Sequence, residues 1–139
     1  MAKIVIIDSQ IAGISGDMLL SSLIDVGANK KKVIDSIYAC QNYFKGSKIR
    51  NADFVKTSSY GISCTKFLFD YTDSANSRIG SEVYRAIAAC SDSLNLSYVA
   101  KSFVLNSLKK IIQAESKIHG SNYTSVLLHE VSTIDTAAD

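Results

Sequence analysis

Two short stretches toward opposite ends of this chain carry the side chains best suited to chemistry. The later one reads His129-Glu130-Val131-Ser132-Thr133-Ile134-Asp135-Thr136-Ala137-Ala138-Asp139 and gathers an imidazole, carboxylates and hydroxyls at an expected strand-to-helix junction. The earlier one, Asp8-Ser9-Gln10-Ile11-Ala12-Gly13-Ile14-Ser15-Gly16-Asp17-Met18, has the same order: apolar run, oxygen donors with glycines, then helix. Asp8, Asp17, Glu130 and Asp135 with the nitrogen of His129 would offer hard oxygens plus one borderline ligand. That mixture suits Mg²⁺, Mn²⁺ or Ni²⁺ better than an ion that prefers thiolates. The plainer alternative for His129-Glu130 is a helix cap and an ion pair. Gly13, Ser15 and Gly16 could let backbone N–H groups approach an anion at a helix start. Their stretch is neither a P-loop nor GxGxxG, and a serine-capped turn explains it as simply. Ser9, Ser132 and Thr133 have no paired base, which argues against a serine-hydrolase triad.

The elements that must position these groups follow from periodicity. Ile4-Val5-Ile6-Ile7 is a short β-branched run and is expected to be a buried strand ending at Asp8. If that strand neighbours the one before His129, their carboxyl ends share the sheet edge where open α/β folds bind ligands. Ser15 is placed to cap a helix burying Met18, Leu19, Leu20, Leu23 and Ile24, with Gly27 as its stop. Asn29 would cap a second helix, which buries Val33, Ile34, Ile37 and Tyr38 and ends near Gln41. From Lys48 to Tyr71 apolar residues alternate, and Tyr60-Gly61 separates two extended segments, so a hairpin is expected there. A polar loop at residues 72–77 precedes helices over about residues 80–90 and 97–119.

On the longer helix Val104, Leu108, Ile111, Glu115 and Ile118 form one stripe, with His119 a turn beyond Glu115. A carboxylate there either needs a partner such as His119, Lys or a metal, or sits at the rim and pairs with His119. Residues 123–128 read as a final strand, and Ile134 to Asp139 as the first turns of a helix. The fold expected is α/β, with α+β as the alternative: one small mixed sheet of about four strands carrying packed helices.

With 139 residues the chain fits one domain, 1–139. Hydrophobic residues at 47% and charged residues at 20% describe an ordinary globular core and surface. A net charge of +2 gives no reason to expect DNA, RNA or an anionic membrane as partner. Lys30-Lys31-Lys32 is most simply a solvated helix start. Cys40, Cys64 and Cys90 lack CxxC spacing and a nearby histidine, so buried free thiols are expected rather than a disulfide framework or a zinc site. The apolar run after Lys3 is too short for a signal peptide, and no segment suits a bilayer span; a cytoplasmic protein is expected.

Several motifs together resemble the LarC family of nickel insertion proteins. Asp8 followed by Gly13-Ile14-Ser15-Gly16-Asp17-Met18 is similar to the family's opening pattern. Gly61-Ile62 with Thr65-Lys66 is similar to its middle strands. Ala114-Glu115-Ser116-Lys117-Ile118-His119-Gly120 and His129-Glu130-Val131, Asp135 and Asp139 follow in the family's order. The resemblance implies CTP-dependent insertion of nickel, as substrate, into pyridinium-3,5-bisthiocarboxylic acid mononucleotide, a cyclometallation of the lyase class. The product is the nickel-pincer cofactor of lactate racemase and related enzymes. CTP with Mn²⁺ or Mg²⁺ is expected on a C-terminal domain that has no counterpart among these residues, so this chain alone would be an inactive part.

Within that resemblance His129, Glu130 and Asp8 are the candidate catalytic residues, and Gly13, Ser15 and Gly16 the candidates for the substrate's phosphate. His129, Glu130, Asp17 and Asp135 are candidate metal ligands, and Glu115 and His119 would orient them. Partners implied are the mononucleotide and the C-terminal part of the protein, with a homo-oligomer also allowed. Three positions depart from the pattern: residues 72–80 hold no histidine, Leu127 stands where a second histidine is common, and Ser132 replaces a glycine. The alternative function is a non-catalytic metal- or nucleotide-binding module that needs a partner chain. A third is a phosphate-ester hydrolase using Asp8 and a divalent ion.

Overall fold

The structure, a computed structural model, describes residues 4–10 and 13–139. Lys3 and the junction residues Ile11 and Ala12 lie outside the described residues. Helix α1 (Gly16–Asp25) starts after Ser15, but the Ser15 hydroxyl donates to the Asp17 carboxylate instead of capping an amide. Helix α2 (Lys30–Cys40) is capped as expected, with Asn29 Oδ1 accepting from the Lys32 amide at 2.9 Å, and tightens into a 3₁₀ turn over Gln41–Tyr43. Strands β1 (Ser47–Ser59) and β2 (Ile62–Asp73) form the hairpin, with Ser59 opposite Ile62. Tyr60 and Gly61 take φ of 51° and 79°, the left-handed pair that a two-residue type I′ turn requires.

Alternation puts Phe67, Phe69 and Tyr71 on one face of β2, where Phe67 stacks on Phe69 at 5.3 Å and Tyr71 lies tilted against Phe69 at 5.0 Å. Phe54 of β1 extends the ladder across the strands at 4.8 Å from Phe67. Strand β3 (Arg78–Ile79) leads into helix α3 (Gly80–Ser93). Helix α4 (Tyr98–Ile118) follows, capped by the Ser97 hydroxyl on the Ala100 amide. Strand β4 (Leu127–Leu128) pairs antiparallel with β3, and the short helix α5 (Ile134–Ala138) closes the described chain.

The α+β alternative is therefore the fold. Among the described residues four strands are present, but they form two separate antiparallel pairs, β1–β2 and β3–β4, rather than one mixed sheet. Residues 4–7 are not a strand and are exposed: they pair with none of the described strands. The last strand is also shorter than expected. Asn122 Oδ1 accepts from the Thr124 amide at 2.9 Å and its hydroxyl at 2.8 Å, a local turn that outcompetes extension until Val126.

On α4 the buried stripe runs through Leu108 and Ile112 and ends before Ile118, which is exposed. The core joins Phe44, Val83, Ile112, Val126, Leu128 and Ile134 between the hairpin and the helices. Cys40 and Cys90 are buried free thiols with their sulfurs 3.3 Å apart, and Cys64 is half-buried. Among the described residues no helix is long and apolar enough to cross a membrane.

Candidate functional site

The C-terminal end of α4 and the turn after β4 bring both histidines together. Their rings lie edge to face with centroids 6.2 Å apart. Glu115, one helical turn before His119, places Oε2 3.3 Å from His119 Nε2, so the carboxylate at the end of the apolar stripe pairs with the imidazole. His119 and His129 keep solvent access, and Glu130 is exposed beside them. A solvent-facing pair of imidazoles with a carboxylate can take up a divalent cation or pass a proton.

What positions His129 is a buried ion pair that the sequence did not announce. Arg78 in β3 is doubly bonded to Asp73 at the end of β2, at 2.8 and 2.9 Å, with side chains 12% and 6% exposed. The same guanidinium donates to the carbonyls of Ser132 (2.6 Å) and Lys45 (2.8 Å) and lies over the Phe44 ring. Burial alone would raise the Asp73 carboxyl. Hydrogen bonds from Arg78, Ser47 and the Ala75 amide together outweigh it and hold the group below the ordinary carboxylate value. Ser132, fully buried, turns its hydroxyl back onto the His129 carbonyl at 2.6 Å. Ser132, where the resemblance leads one to expect glycine, thus bonds to the turn that presents His129. Leu127, where a second histidine was the pattern, is half-exposed on β4 opposite Ile79.

A second group forms where α1 meets α5. Asp17, Asp135 and Asp139 come from opposite ends of the sequence and feel one another's charge. Asp135 is raised by partial burial and then by the Asp17 charge. Asp139 is raised to about 6 by partial burial, then by Asp135 and Asp17. Gly16 permits this approach: a Cβ there would collide with the Asp139 side chain. Asp139 appeared in the sequence only as the last letter of a motif, and its role depends on a helix-to-helix contact that no local pattern contains.

On its other side Asp17 borders an open cleft of about 450 Å³ between α1 and the hairpin, lined also by Cys64, Thr65 and Lys66. Two stretches of the resemblance, the opening pattern and Thr65-Lys66, therefore face one cavity. Asp25, farther along α1, accepts hydrogen bonds from Lys56 and Thr65 and ties the helix to the hairpin.

Asp8 is exposed and accepts the Gln10 amide at 3.0 Å, and Gly13 donates to the Ser9 carbonyl at 3.0 Å. Both line a groove against α1 to which no residue from 129 to 139 contributes. Gly13 and Asp8 thus share one cavity, Asp17, Asp135 and Asp139 form a second group, and His119, His129 and Glu115 a third. Among the described residues no three histidine, cysteine, aspartate or glutamate side chains stand close enough to enclose a metal ion unaided.

Comparison with known proteins bears on these groups. The family described as "Nickel insertion protein" matches residues 5–139. A protein of Methanosphaera stadtmanae with a nickel insertion name is 32% identical, over 98% of this chain and 34% of its own length. Proteins of Staphylococcus saprophyticus and Staphylococcus epidermidis, both named pyridinium-3,5-bisthiocarboxylic acid mononucleotide nickel insertion protein, are 31% and 30% identical. The first match covers 92% of this chain and 30% of the relative, the second 100% and 33%. The chain thus spans about a third of the length of these relatives, and no solved structure matches it. With the match running from residue 5 to residue 139, this chain belongs to the nickel insertion protein family.

Proposed function

We propose that this chain is the part of a nickel insertion protein that receives nickel and the pyridinium-3,5-bisthiocarboxylic acid mononucleotide, in the cytoplasm. The observation that carries the proposal is the meeting of His129, held through Ser132 by the Arg78–Asp73 pair, with His119 and Glu115 of α4. His129 and Glu130 take the cation, while Asp17 and Asp135, in the separate group between α1 and α5, offer a second set of oxygen ligands. Imidazole nitrogen with carboxylate oxygen is a donor set that divalent nickel accepts. Glu115 fixes the His119 ring, and His119 in turn orients His129.

Gly13, Ser15 and Gly16 hold the substrate's phosphate beside Asp8, and the cleft at Thr65-Lys66 admits the rest of the nucleotide. Forming a nickel–carbon bond at a ring position that carries hydrogen releases a proton. Asp8, which lines the α1 groove, is the candidate acceptor there, with Glu130 beside the histidines and the raised carboxyl of Asp139 beside α1 as the other candidates. CTP with Mn²⁺ or Mg²⁺ belongs to the remaining two thirds of the family polypeptide and supplies the energetic coupling of a lyase-class cyclometallase serving lactate racemase and related enzymes.

His129→Ala tests this directly. Nickel incorporation into the mononucleotide, assayed with the rest of the family polypeptide present, should be abolished while the melting curve stays unchanged. A lowered melting temperature would instead make His129 a structural residue.

A further inference from the structure

The exposure of residues 4–7 alternates: Ile4 88%, Val5 54%, Ile6 89%, Ile7 59%. That two-residue period is the signature of extended backbone with one face shielded and the other bare. Val5, Ile6 and Ile7 border an open groove of about 260 Å³ on α1, walled by Ile14, Met18, Leu19 and Val26. Among the described residues no hydrogen bond joins the amides or carbonyls of residues 4–7 to any partner. Four consecutive β-branched side chains in this state form an unpaired strand: its composition suits a sheet interior, and its backbone is open on both edges. None of the four described strands pairs with it: their recorded partners are one another, β1 with β2 and β3 with β4.

We infer that residues 4–7 are a β-strand whose sheet is supplied by the two thirds of the family polypeptide that this chain does not span. The family relatives are about three times as long as this chain, which gives them ample residues for that sheet. Strand addition covers Ile4 and Ile6, satisfies the open ladder and deepens the α1 groove into an enclosed pocket. It also places Asp8 and Gly13, at the end of the strand, on the seam between the two parts. The Asp8 cavity is then completed by the partner sheet and is only half built in this chain. This inference rests on family membership and on relative lengths, and is independent of the nickel chemistry.

The test is a fusion of this chain to the portion of the Staphylococcus saprophyticus relative that it does not match, compared with the 139-residue chain alone by amide hydrogen exchange. Residues 5–8 should exchange on the order of 100-fold more slowly in the fusion, while the β1–β2 amides stay unchanged. Exchange at the same rate in both proteins overturns the inference. The I4D/I6D double variant should lower the melting temperature of the fusion and leave that of the chain alone unmoved; equal effects on both would also overturn it. A fusion protected at residues 5–8 yet unable to transfer nickel refutes only the proposed function.

Discussion

Two apolar runs in this chain meet opposite fates. Residues 126–128 lie deep in the core, with Val126 1% and Leu128 0% exposed, whereas residues 4–7 are mostly in solvent. Composition does not separate them, since the exposed run is the more β-branched of the two and has the stronger strand preference. The difference is an available edge. Arg78 and Ile79 pair with Leu128 and Leu127, and Gly80 donates to the Val126 carbonyl at 2.9 Å, so the later run is held where α4 can cover it. The earlier run has only one side of α1. Burying an isoleucine is worth about 1.5–3 kcal/mol, so Ile4 and Ile6 leave a considerable stabilisation unused in this chain.

The comparison can be broken most forcefully at the clamp that holds β3 in place. Asp73→Ala should destabilise the chain by about 3–5 kcal/mol, because it leaves the Arg78 guanidinium buried without its counter-charge. Chemical denaturation would measure it, and the ring contact between His119 and His129 should loosen in the same variant. Next, Leu128→Ala should cost about 2–5 kcal/mol through the cavity it opens. Ile6→Ala, the matching truncation in the exposed run, should change the stability of this chain by no more than about 0.5 kcal/mol. Similar losses from the two truncations would show that residues 4–7 already pack against something within the chain.

A modest effect is also expected from pH on the carboxylates between α1 and α5. Asp135 and Asp139 titrate above the ordinary 3.8, Asp139 at about 6, so the folded state holds protons that the unfolded chain has released. The Asp139 contribution is present below 3.8 and is lost as pH rises through about 6, and that of Asp135 has the same sign. Asp139→Asn should flatten that slope, by at most about 1 kcal/mol once solvent screening is allowed for. Asp73 works in the opposite sense: its lowered carboxyl adds stability above 3.8 that disappears as the solution is acidified. Denaturation midpoints followed from about pH 2 to pH 7 in both variants would separate the two signs, Asp73 acting below 3.8 and Asp139 above it. Any divalent cation held by the Asp17, Asp135 and Asp139 group should bind more tightly as pH rises through the same window.

Much of the architecture was legible because it is encoded over a few residues. Asn29 and Ser97 cap helices through their own side chains, Tyr60-Gly61 turns the hairpin, and alternation along β2 aligns Phe67, Phe69 and Tyr71. The pairing of Glu115 with His119 is likewise local, set by one helical turn. The site was legible in its residue types and only partly in its geometry. The sequence named Asp17, Asp135, His129 and His119 as candidates, yet nothing in it announced that Asp139 would settle over Gly16.

What the amino-acid order determined by itself is the set of helices, the hairpin and the stock of metal-binding side chains, since caps, turns and periodicity act within a few residues. The tertiary structure alone decided which apolar run is buried, that Asp73 and Arg78 close on each other, and that carboxylates from the two ends of the chain share one neighbourhood. Those outcomes depend on contacts between residues far apart in sequence, and a buried charge or an unpaired strand acquires its energy only when a particular partner arrives beside it.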